Sequence, residues 1–166
     1  MTSHDILNAL MHWYACRSMK GWLLFPELKL GTGYTRRSSQ RAIDLFALNT
    51  FPSNNYLRIA YEIKASQSDF YREKADVSKT RAALQFCNQF YFVTPEGLLK
   101  PAAIPIECGL IEIIPAGDGV RATPMLKTIV EAPYYDTVPN WGFIASLSRR
   151  INANNRAYWN TEAADE

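Results

Sequence analysis

Three observations predict an α/β fold, a mixed central β-sheet flanked by α-helices. Helical and extended patterns follow one another as helix, strands, helix, strands, helix. Two strand-like runs flank one turn-rich loop, as an antiparallel hairpin requires. The chain's 166 residues, 48% hydrophobic and 20% charged, suffice for one domain with a hydrophobic core. The expected domain spans residues 1–166 and ends in an acidic tail near residues 161–166.

Ser3 or Asp5 is placed to cap a first helix that runs to about Lys20. Ile6, Leu10, Trp13 and Tyr14 recur there at helical spacing, and Gly21 is a stop. Trp22 to Leu30 is extended, and Gly31-Thr-Gly33 turns the chain. Arg41 to Leu48 and Tyr56 to Ser66 read as strands, the second rich in β-branched and aromatic residues. Asn49-Thr-Phe-Pro-Ser-Asn-Asn55 between them carries turn residues.

Asp69 to about Phe86 holds no proline or glycine and reads as one polar helix with Asp69 as its cap. Gln89 to Thr94 is a buried type of strand ended by Pro95-Glu-Gly97, and Gly109 to Ile114 is another. Gly117-Asp-Gly119 turns the chain towards Val120 to Met125. A helix from Trp141 to about Trp159 closes the fold, with Phe143, Ile144, Leu147 and Ile151 on its inner face. His4 and His12 lie on the first helix far in sequence from any residue at metal-ligand spacing and read as ordinary surface or core residues.

A net charge of +2 creates no global basic field. The basic residues are clustered nonetheless. Arg36, Arg37 and Arg41 precede one strand, and Lys64, Arg72, Lys74, Lys79 and Arg81 follow within a short stretch. Cys16, Cys87 and Cys108 form no CxxC pair and read as reduced thiols of a cytoplasmic protein. Polar residues interrupt every apolar run before it could span a bilayer, so no membrane partner is expected.

The chemistry concentrates at Tyr61-Glu-Ile-Lys64. Side chains alternate between the two faces of a strand. Leu57, Ile59, Tyr61 and Ile63 therefore share an apolar face, while Arg58, Ala60, Glu62, Lys64 and Ser66 share the other. In the hairpin register that pairs Leu48 with Arg58, Asp44 falls opposite Glu62. Directly opposed residues hold their Cβ atoms roughly 4.5–5.5 Å apart. Two carboxylates that close repel each other unless a cation or proton lies between them. Mg²⁺ suits such a place, because it binds one or two carboxylates plus water and substrate phosphate. Lys64 beside it can orient a water or steady the charge that develops on phosphorus.

The tripeptide E-x-K alone is common, and Glu27-Leu-Lys29 is a second copy without an upstream strand bearing Asp. The combination is rarer: Ile-Asp-Leu in one strand, a turn-rich loop, then Ile-Ala-Tyr-Glu-Ile-Lys. The bland alternative is an Asp and a Glu-Lys pair on a solvated sheet face.

Asp44 with Glu62-x-Lys64 resembles the PD-(D/E)xK nuclease superfamily without its literal proline. Glu62-Ile-Lys-Ala-Ser-Gln-Ser-Asp-Phe70, Lys79, Cys87-Asn-Gln-Phe-Tyr-Phe-Val-Thr-Pro-Glu-Gly-Leu98, Ile104-Pro and Gly109-Leu-Ile-Glu further resemble the MmcB-like DNA repair nuclease family. The stretch covers about half the chain, from Glu27 to Glu112. Thr80 and Ala83 depart from the family's aromatic positions after Lys79.

The resemblance implies a restriction-endonuclease-like fold, a DNA substrate and 5′-phosphate products. It implies metal ligation by Asp44 and Glu62 with the Ile63 carbonyl, a catalytic Lys64 and a supporting Glu27. The expected ion is Mg²⁺, with Mn²⁺ able to substitute. Arg36, Arg37, Arg41, Lys79 and Gln85 are candidate DNA contacts, since phosphate contacts dominate affinity. For Lys79 and Gln85 a solvated helix face is the competing expectation. A homodimer would suit cleavage of both strands, although no exposed heptad marks an interface. The sequence also admits a domain of this fold that binds DNA or a protein partner without cutting. RNA is the weaker substrate, since no RNA-binding motif is present.

Overall fold

The computed structural model describes the backbone of residues 1–16, 21–30, 42–76, 78–115 and 124–162. Arg36, Arg37 and Arg41, the turns at 31–33 and 117–119 and the last four residues lie outside it. The described residues form an α/β fold whose mixed sheet runs in the order β1 (Trp22–Lys29), β2 (Ala42–Asn49), β3 (Arg58–Ile63), β4 (Gln89–Pro95), β5 (Gly109–Ile114) and β6 (Met125–Val130). The pairs β1–β2, β2–β3 and β5–β6 are antiparallel, whereas β3–β4 and β4–β5 are parallel. Helix α1 (Ser3–Cys16) covers one face. Helices α2 (Gln67–Ala75), α3 (Ser78–Leu84) and α4 (Trp141–Glu162) belong to the other.

Two apolar cores follow from strand alternation. Ile6 and Leu10 of α1 pack with Leu45, Ile59, Tyr61, Val93 and Ile113. Phe70, Ala83 and Phe143 of the opposite helices pack with Phe46, Ala60, Phe90, Phe92 and Leu110. All six residues of β3 are buried, so the strand is covered on both faces and the solvated-face alternative does not hold. Parallel strands covered by helices on both sides are buried in this way.

Several boundaries differ from the expected ones. Thr2 caps α1, not Ser3 or Asp5: its hydroxyl accepts the Asp5 N–H at 3.2 Å while the Asp5 carboxylate accepts the Thr2 N–H at 2.7 Å. This reciprocal capping box satisfies two otherwise orphaned donors. Ser66, not Asp69, caps α2, and Asp69 lies in the first turn. The single helix expected from Asp69 to Phe86 is two. The chain breaks after Asp76, whose carboxylate accepts the N–H (3.2 Å) and hydroxyl (2.6 Å) of Ser78. A local side-chain acceptor of this kind competes with the helical bond.

The last strand runs from Met125 through the β-branched Thr128, Ile129 and Val130, and Val120 lies outside the described residues. In α4, Phe143 and Leu147 face the core four residues apart, whereas Ile144 and Ile151 are exposed.

Candidate functional site

The β2–β3 ladder pairs Leu45 with Tyr61 and Leu48 with Arg58, the register expected from the loop. The pairs end at Leu45–Tyr61, one step short of Asp44 and Glu62, so the expected Asp44–Glu62 pair is not among them, although both residues line the same cleft. On the other side of β2, the pairs Pro26–Leu45 and Leu28–Ile43 bracket Glu27 and Asp44. Three carboxylates thus lie near one level across three strands. All three line a single open cleft of about 420 Å³.

The strands are distorted at this level. Glu27 has φ 51°, a left-handed conformation for a residue with a side chain. Phe25 and Leu28, three apart, share one core, as do Ile43 and Phe46. Simple alternation forbids that spacing, so both strands change facing at Glu27 and Asp44. The Asp44 carboxylate turns towards β3 and accepts the Ile63 N–H at 2.7 Å. Backbone strain of this type concentrates at functional sites.

Glu62 is only 1% exposed. Its Oε1 accepts from Lys64 Nζ at 2.7 Å and from Lys79 Nζ at 2.5 Å. Its Oε2 is buried with no hydrogen-bond partner. Burial first, and next the Asp44 charge, push the Glu62 carboxyl up to about 7, while Lys79 and Lys64 pull it back. Lys64, also buried, makes a second bond at 2.7 Å to Glu73 Oε2 on α2. Burial pulls the Lys64 ammonium down, but Glu62 and Glu73 together outweigh it and raise its proton affinity.

The cleft is completed by Ser3, His4 and Leu7 from α1, by Ile63 from β3, and by Asp69, Arg72, Glu73 and Lys79 from α2 and α3. The expected core residues Asp44, Glu62, Lys64 and Glu27 therefore come together, with Ile63 beside them. Lys79 joins them as a partner of Glu62 rather than on a solvated helix face. Gln85 does not reach the cleft. It is exposed beside Phe86, whose carbonyl accepts from Arg58 at the opposite end of β3.

Glu73 and His4 are cleft residues that the pattern of the sequence did not single out. Glu73 becomes legible only once Ser66 is recognised as the cap, which sets where the second turn of α2 falls. His4 depends on how α1 crosses the sheet, for which no local signal exists.

The cleft lining carries five carboxylates, Glu27, Asp44, Glu62, Asp69 and Glu73, against Lys64, Lys79 and Arg72. Among the described residues, no group of three His, Cys, Asp or Glu side chains is arranged to hold a metal ion. Mg²⁺ needs fewer, since one or two carboxylates with water and phosphate usually suffice. The buried, unpartnered Glu62 Oε2 and the adjacent Asp44 fit that smaller donor set. Among the described residues, no helix is long and apolar enough to cross a membrane.

No protein family and no curated protein matches the chain. Its structure is similar to that of a protein of unknown function from Silicibacter pomeroyi, with a TM-score of 0.56 and 18% sequence identity. The match covers 93% of this chain and 92% of that one. At this identity the likeness concerns the fold alone.

Proposed function

We propose that the protein is a metal-dependent deoxyribonuclease of the PD-(D/E)xK type, resembling the MmcB-like DNA repair nucleases and working in repair, recombination or defence against mobile elements. The observation that carries this reading is the convergence of Asp44, Glu62 and Lys64 on one open cleft, with a buried Glu62 oxygen left without a partner. Asp44 and Glu62 would hold Mg²⁺ or Mn²⁺, with the Ile63 carbonyl as a backbone ligand. Such an ion supplies Lewis-acid stabilisation of a phosphate and a more acidic water.

The protein's own groups have separate tasks. Lys64, fixed between two carboxylates, presents a localised positive charge where negative charge grows on the phosphoryl oxygens. Asp44, held by the Ile63 N–H, keeps its carboxylate directed along the sheet into the cleft. Glu27 adds negative charge at the open side. A water oxygen bonds to phosphorus and gives up one proton to solvent, the bond from phosphorus to O3′ breaks, and O3′ takes up one proton from solvent, leaving a 3′-hydroxyl and a 5′-phosphate. Arg36, Arg37 and Arg41 are proposed to grip the DNA backbone. The buried free thiols Cys87 and Cys108 suit a reducing, cytoplasmic setting.

One observation favours a second reading, a domain that binds DNA or a partner without cutting: two lysines already share Glu62 Oε1. Incubation of purified protein with duplex, single-stranded, flapped, mismatched and branched DNA in Mg²⁺ or Mn²⁺ separates the two. The nuclease reading expects cleavage that chelation, Asp44→Ala and Lys64→Ala each abolish. DNA retention without cleavage on any substrate would support the binding domain instead.

A further inference from the structure

Glu62, Lys64, Glu73 and Lys79 form a closed ring of alternating charge. Lys64 bridges Glu62 Oε1 and Glu73 Oε2 at 2.7 Å each. Lys79 lies 2.5 Å from Glu62 Oε1 and 3.6 Å from Glu73 Oε1. The four side chains are 2% to 16% exposed, so solvent screens them little. Two acids and two lysines make the ring neutral.

Its hydrogen bonding is lopsided. Glu62 Oε1 accepts from both lysines, while Glu73 Oε1 is buried and accepts from neither. A buried carboxylate oxygen without a donor is costly, and here a lysine stands just beyond bonding distance. A movement of Lys79 Nζ by roughly 1 Å would convert the 3.6 Å separation into a hydrogen bond.

We propose that Lys79 is a placeholder cation on Glu62 and that Glu73 is the positioning residue that receives it when a divalent cation binds. The inference rests on the metal-dependent reading of the cleft and adds how the cation gains access to Glu62. In the metal-free protein, the Lys79 ammonium occupies the carboxylate that a cation needs. Arrival of the cation makes the Glu62 contact repulsive for Lys79. Glu73 Oε1 offers the nearest opposite charge, and the same carboxylate keeps Lys64 in place through Oε2. Lys79 then stands beside the phosphate position without neutralising the carboxylate that holds the metal.

Titration of the full-length protein with Mn²⁺ alone, by calorimetry and without DNA, tests this. Lys79→Gln removes the competitor and should tighten Mn²⁺ binding by about tenfold or more. Glu73→Gln leaves Lys79 no charged alternative and makes the site more positive. It should weaken binding by about tenfold or more, and the double variant should return towards wild type. Thermal melts of each variant establish that it is folded.

A purely structural ring predicts altered melting temperatures with unchanged Mn²⁺ affinity, and that result would overturn the inference while leaving the nuclease reading intact. Weaker binding by a folded Lys79→Gln would overturn it as well. Absence of Mn²⁺ binding by the wild type would remove both readings together.

Discussion

Glu27 illustrates how a single residue records the demands of the cleft. A residue with a Cβ pays about 1–2 kcal/mol for a left-handed conformation, which glycine avoids. Glu27→Gly is therefore expected to be more stable than Glu27→Ala by about 1 kcal/mol, measured by urea denaturation, even though both lose the carboxylate. Equal stabilities would show that the φ of 51° imposes no strain. Glu62 supplies a pH dependence. Its carboxyl, raised from 4.5 to about 7, holds a proton in the folded protein that the unfolded chain has already released between those values. Its contribution to stability is thus greatest at low pH and falls as pH rises through that window. The metal-free protein should show this decline in denaturation midpoints taken at about pH 5 and about pH 8, and the slope should be smaller in Glu62→Gln. A larger slope in the variant would reverse the assigned sign. Asp44, Glu62 and Lys64 were legible in the sequence because strand alternation and hairpin register are local rules, whereas Glu27 was expected only through the family resemblance. Glu73 and His4 were not, since their approach to the cleft depends on helix placement.

Elements were legible where hydrophobic pattern and turn chemistry agreed. The strand at Gly109–Ile114 and the hairpin around Pro52 matched the expectation because apolar runs ended at strong turn residues. The missed boundaries share a different cause. Thr2 and Ser66 each stand three residues before an Asp whose N–H their hydroxyl accepts, a bond reciprocated by the carboxylate only at Thr2–Asp5, and these caps displaced the residues first assigned that role. The break after Asp76 came from a two-residue carboxylate bond that no periodicity registers. Helix α4 offers a direct test of facing. Phe143 is 1% exposed, stacks on Phe86 at 4.7 Å and meets Phe46 edge-on at 5.2 Å. Phe143→Ala should cost about 3–5 kcal/mol in thermal or chemical unfolding. Ile144→Ala, on the exposed side, should change stability by about 0.5 kcal/mol or less. A comparable loss in both would mean that the helix buries a different face.

At the scale of the molecule, the arrangement of the sheet makes the cleft. Strand β3 lies between an antiparallel partner carrying Asp44 and a parallel partner reached through α2 and α3, which deliver Glu73 and Lys79. The end of β3 is therefore the place where carboxylates of the hairpin meet cations of the crossover. Two-sided burial of β3 keeps these charges in surroundings where each interaction is stronger than in water. Sequence periodicity predicted the α/β class and the hairpin register, but not that both faces of β3 are covered, because the covering helices are separated from it along the chain. Hydrolysis of DNA in this cleft through Asp44, Glu62 and Lys64 is the proposed activity. The most direct measurement is the single-turnover rate of DNA cleavage in Mg²⁺ by wild type and by Glu62→Gln. The predicted result is metal-dependent cleavage by the wild type that falls by about 10²–10³-fold or more in the variant, as for removal of a group that stabilises a transition state. Wild-type cleavage retained by Glu62→Gln, or none by the wild type on any DNA structure, would contradict the account.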